Sequence, residues 1–265
     1  MRFTVLFLAM AASACPPLQG QETGESGRTA AEALAGWSLV RAMPAAEAHQ
    51  AAAAMGDWVF AITNSKIAKY DRQTGERLAV STGEAKHLNS GFVWDGRLYC
   101  AHSNYPRKPE KSEILVLDPE TMRLGTFKEF GNFGGSLTWA VRHEDAWWCN
   151  FALYGDDNAR TFVVKFNDQW REQGRWTYPR EVLQAIGRAS LSGGLWLDGS
   201  LLVTDHDHPV IYRLRVPDEG STLKFVGKEP APFPGQGIAI DPQTGGLVGI
   251  HRFKRQVIFA ERTER

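Results

Sequence analysis

Apolar and polar positions along the chain follow a pattern that recurs five times. In each copy a small or polar pair precedes a short apolar strand, a turn follows, and a second apolar strand ends in polar residues. The copies begin near His49, His87, Gly135, Ser190 and Gly235. Further short strands follow each pair, and four strands in roughly 40–50 residues, repeated, are typical of propeller blades.

Turn signals between the strands support this division. Asp95-Gly96 and Asp198-Gly199 each lie between two alternating strands, and an Asp-Gly pair in that position predicts a tight hairpin. Residues 180–186 interrupt the strand pattern before the fourth copy. We expect a short helical insertion there.

The two ends of the repeated region predict how the ring closes. The fifth copy ends with the chain after three strands, whereas residues 37–41 form an isolated strand near the start. Adding this strand to the last blade would cover its edge. We therefore predict an all-β chain, a five-bladed β-propeller over residues 36–265 that is closed by an N-terminal strand. A β-sandwich is the competing fold, but it would not need five copies of one strand order.

The first residues are typical of an export signal. Met1-Arg2 gives a positive start, residues 3–12 are an apolar run, and Ala12-Ser13-Ala14 supplies small residues for cleavage. We predict a signal peptide over residues 1–14, which implies an exported protein.

The stretch after the signal is polar and leaves two forms of export open. Residues 15–35 predict a flexible tether. Cys15 directly follows the small residues, as in bacterial lipoprotein signals, so lipidation and plain secretion are both possible. The expected location is the periplasm, the outer membrane through a lipid on Cys15, or the extracellular space, with no other membrane contact.

Charge and cysteine content narrow the functional classes. The 265 residues carry 30 Lys and Arg against 30 Asp and Glu, so the basic excess of a nucleic-acid-binding protein is missing. The expected partner is a small molecule, and we expect a monomer. Three cysteines are too few for a disulfide framework. Cys100 and Cys149 lie among apolar residues and are expected to be buried thiols.

Propeller geometry predicts where the histidines gather. The first strand of each blade starts at one face of the ring and the second strand returns to it, so these strand ends surround one mouth of the channel. Six of the seven histidines fall there, and His143, in a hairpin turn, belongs to the opposite face. We predict a site at this mouth with four catalytic histidines, acting as ligands or acid–base groups: His87, His102, His206 and His251.

Other residues of the predicted mouth are suited to holding a polar substrate. Ser, Thr, Asn and Gln at the starts of inner strands can also serve the fold, by bonding to neighbouring backbone or channel water. The expected substrate-binding residues are Asn89, Asn104, Thr138, Trp139, Asn150, Ser192, Gln236 and Arg252.

The segment Asp205-His206-Asp207-His208 is the densest group of titratable residues. An extended strand would place His206 and His208 on the same side of the pleat. Imidazoles and carboxylates bind divalent transition metals, so these two residues and a third histidine from another blade are a candidate site for one divalent metal ion. The alternative is a His–carboxylate pair that acts as a general base without a metal.

The blade order, export signal and length resemble the plant-type glutaminyl cyclases, which also occur in bacteria. Leu137-Thr138-Trp139, the Gly-Ile-Ala-Ile-Asp-Pro string at 237–242 and the strands around Asp95-Gly96 carry the resemblance. It implies a five-bladed propeller over most of the mature chain. Where that family has a catalytic Glu this chain has Gly134-Gly135, and its first-blade Phe-Thr-Gln-Gly is absent, so no catalytic residue is carried over.

Three strings are similar to a group of secreted bacterial propellers described as cycloisomerase-like or sugar-lactone-hydrolase-like. They are His-Leu-Asn-Ser-Gly at 87–91, Ala-His-Ser-Asn-Tyr-Pro at 101–106 and Asp-His-Asp-His at 205–208. This resemblance implies the fold more than the reaction.

Three functions therefore stay open. The first is an exported enzyme of hydrolase, lyase or cycloisomerase type, acting on a small polar molecule such as a sugar or lactone at the His-rich mouth. The second is a non-catalytic propeller that binds a partner, with an apolar patch near Tyr154, Trp170 or Trp176. The third is glutaminyl cyclization, for which the acid is missing.

Overall fold

The structure, a computed structural model, describes residues 35–263. The predicted signal peptide, Cys15 and nearly all of the predicted tether lie outside the described residues. Twenty strands within this range form five four-stranded antiparallel sheets. The predicted five-bladed propeller is confirmed. The strands in chain order are β1 (Trp37–Pro44), β2 (Ala51–Met55), β3 (Trp58–Ile62), β4 (Ile67–Asp71), β5 (Arg77–Val80), β6 (His87–Trp94), β7 (Arg97–Ser103), β8 (Ser112–Leu117), β9 (Leu124–Gly131), β10 (Ser136–His143), β11 (Ala146–Ala152), β12 (Phe162–Phe166), β13 (Glu172–Thr177), β14 (Gly193–Leu197), β15 (Ser200–Thr204), β16 (Val210–Arg215), β17 (Lys224–Pro230), β18 (Ala239–Ile240), β19 (Leu247–His251) and β20 (Gln256–Arg262).

The first four blades each use four consecutive strands. Blade 1 is β2 to β5, blade 2 is β6 to β9, blade 3 is β10 to β13 and blade 4 is β14 to β17. Blade 5 has the order β18, β19, β20 and β1, so its outer strand comes from the start of the described chain.

Ring closure by the N-terminal strand is also confirmed. Strand β1 runs antiparallel to β20, with Trp37 opposite Arg262 and Pro44 opposite Gln256. The pairing hides the free edge that β20 would otherwise present to solvent.

An ion pair joins blade 1 to blade 5 at the closure. Arg72, in the turn after β4, holds Asp241, in the turn after β18, through both guanidinium nitrogens, with Nη1 2.8 Å from Oδ1. The Asp241 side chain is only 2% exposed. A charge this well buried needs its partner, so the pair fixes the two blades that meet at the seam.

Small residues let the inner strands pack closely around the axis. The four alanines at 51–54 in β2 are at most 1% exposed. A Cβ atom on Gly194 of β14 would lie 2.5 Å from the ring of Trp139, which is itself fully buried on β10. Glycine is therefore required at 194 because the Trp139 ring occupies the space between blades 3 and 4.

The predicted hairpin turns have the expected backbone. Asp95 and Gly96 have φ values of 48° and 67°, and Asp198 and Gly199 have values of 51° and 66°. Positive φ at both central positions is the type I′ turn that suits a twisted hairpin.

Two helical segments lie beside blades 3 and 4. Helix α1 (Arg180–Ile186) occupies the position of the predicted helical insertion, whereas a 3-10 helix at Gly155–Arg160 has no counterpart in the sequence prediction. Within residues 35–263 no helix is long and apolar enough to cross a membrane.

The two cysteines of the blades are buried and unbonded, as expected. Burial raises the pKa of both the Cys100 and Cys149 thiols. They are core residues on β7 and β11, not reactive groups.

Candidate functional site

A cavity of about 370 Å³ opens at the face where first strands begin and second strands end. We call it the polar pocket. Every blade contributes to its lining, either from a strand or from an adjoining loop. Five of the residues predicted for the mouth line it: His87, Asn89, Ser192, His206 and Gln236.

A short polar contact in the polar pocket joins His206 to Asp207. Nδ1 of the imidazole lies 2.7 Å from Oδ2 of the carboxylate, and the other carboxylate oxygen is 2.9 Å from Nη2 of Arg252. Burial alone would raise the pKa of Asp207, but the His206 hydrogen bond and the charges of His206 and Arg252 outweigh it, and this pKa is lowered. Asp207 therefore stays ionised at neutral pH and orients the imidazole.

The backbone around His206 is a turn and not a strand, because β15 ends at Thr204. Asp205 is 1% exposed, and its Oδ1 accepts the N–H groups of Asp207 and His208 at 2.9 and 3.2 Å. His208 Nδ1 lies 3.0 Å from the same oxygen, with its side chain 66% exposed. The expectation of two histidines on one side of a strand is thus wrong, since His206 and His208 are held by different carboxylates.

The geometry does not assemble the predicted metal site. Among residues 35–263, no three His, Cys, Asp or Glu side chains are grouped closely enough to hold an ion. His208 does not line the polar pocket, and the Nδ1 atom of His206 already faces Asp207. The residues present fit the alternative better, a His–carboxylate pair.

His87 is the second imidazole of the polar pocket. Its pKa is lowered, first by burial and then by the nearby imidazoles of His102, His49 and His206. Its ring packs 5.4 Å from that of Tyr105. At neutral pH His87 is therefore an uncharged group that can accept a proton or a hydrogen bond.

Two tyrosines form an aromatic wall beside His87. The rings of Tyr105 and Tyr154 are 4.6 Å apart between centroids. Burial and the neighbouring Tyr105 raise the pKa of Tyr154, so its phenol stays a neutral hydrogen-bond donor. Sequence reasoning did not place Tyr154 here, because it follows β11 at the start of a 3-10 helix that no periodic pattern reveals.

Arg188 also lines the polar pocket and was missed by sequence reasoning. It follows α1 in a segment held by Asn158, whose Nδ2 donates to the carbonyl of Gly187 at 2.8 Å and also to that of Ala189. The Arg188 guanidinium pairs with Asp156 and is largely exposed. It places one positive charge at the rim of the polar pocket.

His102 was expected at the mouth and is instead buried beneath it. Its Nε2 accepts the backbone N–H of Lys86 at 2.8 Å, and Nδ1 lies 2.9 Å from Oε1 of Glu113. The close approach of the His102 ring is the main cause that lowers the pKa of Glu113. His102 is therefore held by the backbone of Lys86 and lies against the Glu113 carboxylate, and it does not line the polar pocket.

His251 and Arg252 lie at the end of β19 but do not line the polar pocket. The Nδ1 atom of His251 is buried and has no hydrogen-bond partner among the described residues. Arg252 contributes through its contact with Asp207. It acts on the polar pocket by positioning this carboxylate.

Three predicted substrate-binding residues of blade 3 are buried below the polar pocket. Asn150 accepts from the phenol of Tyr178 at 2.7 Å and donates to Thr138 at 2.8 Å, and Thr138 donates to the carbonyl of Leu191 at 2.8 Å. This chain fixes the segment that carries Ser192. Trp139 is fully buried between blades and is a packing residue.

Asn104 stabilises a loop and does not reach the polar pocket. Its Nδ2 donates to the carbonyl of Pro109 at 3.0 Å, and its Oδ1 accepts the N–H of Lys111 at 2.8 Å. These bonds close the loop that begins with Tyr105. Asn104 therefore acts on the polar pocket through that tyrosine.

The amides that do line the polar pocket are held firmly. Asn89 donates to the carbonyl of Leu137 at 2.9 Å. Gln236 has a φ of 71° and donates to the carbonyl of His206 at 2.7 Å. A non-glycine residue at positive φ is strained, so the surrounding structure holds Gln236 against His206.

Comparison with solved structures finds a protein of similar fold. No family model and no curated protein matches the chain. The solved structure of Myxococcus xanthus glutaminyl cyclase is similar over 85% of this chain and 95% of that chain, with 9% identity and a TM-score of 0.59. A glucose dehydrogenase structure is similar over 86% of this chain and 99% of that chain, with 11% identity and a TM-score of 0.49. The predicted resemblance to glutaminyl cyclases is thus confirmed for the fold.

Proposed function

We propose that the polar pocket binds a small polar molecule, such as a sugar or lactone, and transforms it by acid–base chemistry of hydrolase, lyase or isomerase type. The observation that carries the proposal is the 2.7 Å contact between His206 and Asp207 at the pocket wall. Because the carboxylate holds Nδ1, Nε2 is the ring atom that remains to take or give a proton.

The other lining groups suit a polar substrate. His87, uncharged because its pKa is lowered, supplies a second proton acceptor. Tyr105 is 39% exposed and offers a ring face against which the apolar side of a sugar can pack. Hydroxyl and amide groups of Ser192, Asn89 and Gln236 supply hydrogen bonds that fix orientation.

Export of the protein is part of the proposal and rests on the N-terminal sequence. Cleavage after Ala14 would leave Cys15 as the first residue. Mass spectrometry of the protein from a bacterial host is expected to show loss of residues 1–14, and an intact Met1 in the mature fraction would contradict export.

Reversible binding without turnover is the second candidate. Tyr154 lies in the polar pocket instead of on an apolar patch, so a ligand-binding protein would use this same cavity. Glutaminyl cyclization is supported by the likeness of fold to the Myxococcus xanthus enzyme and by no residue of this chain. The following experiment distinguishes both candidates from the proposed function.

Turnover of a panel of sugars, lactones and a peptide with N-terminal Gln tests the proposal. His206→Asn is expected to lower kcat about a hundredfold or more, the usual contribution of a general acid or base, with an unchanged melting temperature. The matched control is His143→Asn, since His143 lies on the opposite face against Trp196.

His251→Ala is expected to keep activity because His251 does not line the polar pocket. Full activity of His206→Asn on a substrate turned over by the wild type would overturn the catalytic role. Saturable binding without turnover of any panel member would favour the second candidate.

A further inference from the structure

The turn between β19 and β20 carries positive charge beside the polar pocket. Its sequence is Arg252-Phe253-Lys254-Arg255. Arg252 is paired with Asp207 at 2.9 Å, whereas no carboxylate among residues 35–263 forms an ion pair with Lys254 or Arg255. The turn therefore holds two cations that the described carboxylates leave unneutralised.

Arg252, Phe253 and Arg255 line a second cavity of about 290 Å³, which His49 completes from the segment before blade 1, whereas Lys254 lies in the same turn outside the lining. Burial and then the charges of Arg255 and Arg252 lower the pKa of His49. Its imidazole is therefore neutral at pH 7. An anion in the cavity would offset the two guanidinium charges and favour the protonated ring.

Glu47, the acidic residue closest in sequence to His49, does not neutralise this cavity. Its carboxylate pairs with Arg77 at 2.8 Å and accepts the phenol hydrogen of Tyr70. The lining residues of the cavity are basic or aromatic, with no acidic member.

Phe253 forms the outer wall of the cavity and is 70% exposed, more than any other large apolar side chain of the described residues. The guanidinium carbon of Arg252 lies 4.8 Å from its ring centroid. This cation–π contact keeps the ring beside the cavity. An exposed ring next to free cations is suited to covering the organic part of a ligand whose anionic end is bound.

We propose that the cavity at the 252–255 turn binds a phosphate group and is a site separate from the polar pocket. Guanidinium groups pair with two phosphate oxygens at once. A phosphate monoester carries nearly two negative charges at neutral pH, which the unpaired Arg255 of the lining and the unpaired Lys254 beside it in the turn can balance. The cavity also has room for the group attached to the phosphate, against Phe253.

Two sources share this chemistry, a soluble phosphate compound and the headgroup of an anionic phospholipid. In the second case Phe253 would enter the membrane interface, as exposed aromatic residues beside basic ones do. The arms of the experiment separate these sources.

The test follows the His49 ring by NMR in the protein during titration with inorganic phosphate. The variant Lys254→Gln/Arg255→Gln removes the two unpaired cations and leaves the Arg252–Asp207 pair. Its control, Arg97→Gln/Arg215→Gln, removes two exposed arginines at the start of β7 and the end of β16, on the opposite face. Melting curves establish that both variants fold.

We expect saturable phosphate binding and a higher His49 pKa in the wild type and the control, and about tenfold weaker binding in the 254/255 variant. Lys254→Gln alone, which leaves the positive φ at Arg255 untouched, is expected to give a smaller loss and replaces the double variant if that one does not fold.

Vesicle sedimentation is the second arm. Binding to phosphatidylglycerol vesicles but not to phosphatidylcholine vesicles, lost in the 254/255 variant, identifies a lipid headgroup as the source. A phosphate response without vesicle binding identifies a soluble compound. If the 254/255 variant and the control behave alike towards both phosphate and vesicles, or the wild type binds neither, the proposal is wrong. Activity of the polar pocket does not enter either readout.

Discussion

His206 and Asp207 are adjacent in the chain, and their side chains also touch, with Nδ1 2.7 Å from Oδ2. Neighbours on a strand point to opposite faces. The contact exists because β15 ends two residues before His206. The buried carboxylate of Asp205 then accepts the backbone N–H groups of Asp207 and His208, which fixes a turn. The turn thus creates the oriented imidazole of the polar pocket.

Arg252→Gln is predicted to raise the pKa of Asp207. The guanidinium 2.9 Å from the carboxylate is one of the charges that lower this pKa, and its loss leaves the effect of burial less opposed. Carbon-13 NMR of the carboxyl group against pH measures the change. Arg255→Gln, in the same turn, is the control and is expected to change this pKa less. Equal pKa values in the wild type and Arg252→Gln would contradict the geometry.

The His102–Glu113 pair is predicted to make stability fall in acid. Glu113 has a lowered pKa in the folded protein against an ordinary value of 4.5, so its contribution is complete above that value and is lost as pH falls through the folded pKa. Glu113→Gln is expected to cost about 1–2 kcal/mol at neutral pH. In urea unfolding, the difference between wild type and variant should shrink below pH 4.5; a constant difference would rule out this linkage.

Asp241→Asn is predicted to weaken the closure of the ring. The substitution breaks the ion pair with Arg72, whose side chain is only 11% exposed. Removing one partner of a buried ion pair lowers the free energy of unfolding by about 3 kcal/mol. Asp218→Asn is the matched control, because its pair with Lys224 is exposed to solvent and such a pair contributes little to stability. Equal losses of unfolding free energy in the two variants would show that the seam does not depend on this pair.

Gly194→Ala is predicted to destabilise the protein by about 1–3 kcal/mol, the usual cost of overpacking. The added Cβ would lie 2.5 Å from the ring of Trp139, so either the ring or β14 must shift. Gly125→Ala on β9 is the control, because nothing lies within 4 Å of its Cβ position. Thermal unfolding compares the two, and a variant at 194 as stable as the one at 125 would mean that Trp139 is loosely packed.

The repeat in the sequence predicted the architecture because each blade must bury the same faces. Five copies of the apolar pattern gave the number of blades, and the isolated strand at 37–41 gave the closing strand β1. The Asp-Gly pairs predicted their turns because few other residues adopt two positive φ values in succession. These features depend on residues that are close together in the sequence, so a pattern within a short segment can predict them.

The same periodicity did not predict which way side chains point at the strand ends around the mouth. The pairing register shifts around Asn89 in β6 and around Thr138 in β10. A bulge of this kind redirects the side chains that follow, so Asn89 lines the polar pocket while Thr138 bonds to Leu191 beneath it. Alternation extrapolated from the strand centre cannot distinguish these two outcomes.

The sequence pattern could not predict the positions of the loop residues, for a different reason. Tyr154 and Arg188 reach the polar pocket from non-strand segments whose path depends on a contact across the chain, the bonds of Asn158 to the carbonyls after α1. His102 was predicted at the mouth from its position near the end of β7. Its ring lies instead against Glu113, the residue opposite it on the neighbouring strand.

If His87 and His206 face one pocket that binds a small polar molecule, histidine-ring NMR will detect the ligand at both imidazoles. The imidazole signals are recorded while members of the sugar and lactone panel are added. We expect saturable shifts at His87 and His206 with a single affinity, and no change at His143 on the opposite face. Shifts confined to His143, or different affinities at His87 and His206, would contradict a shared pocket.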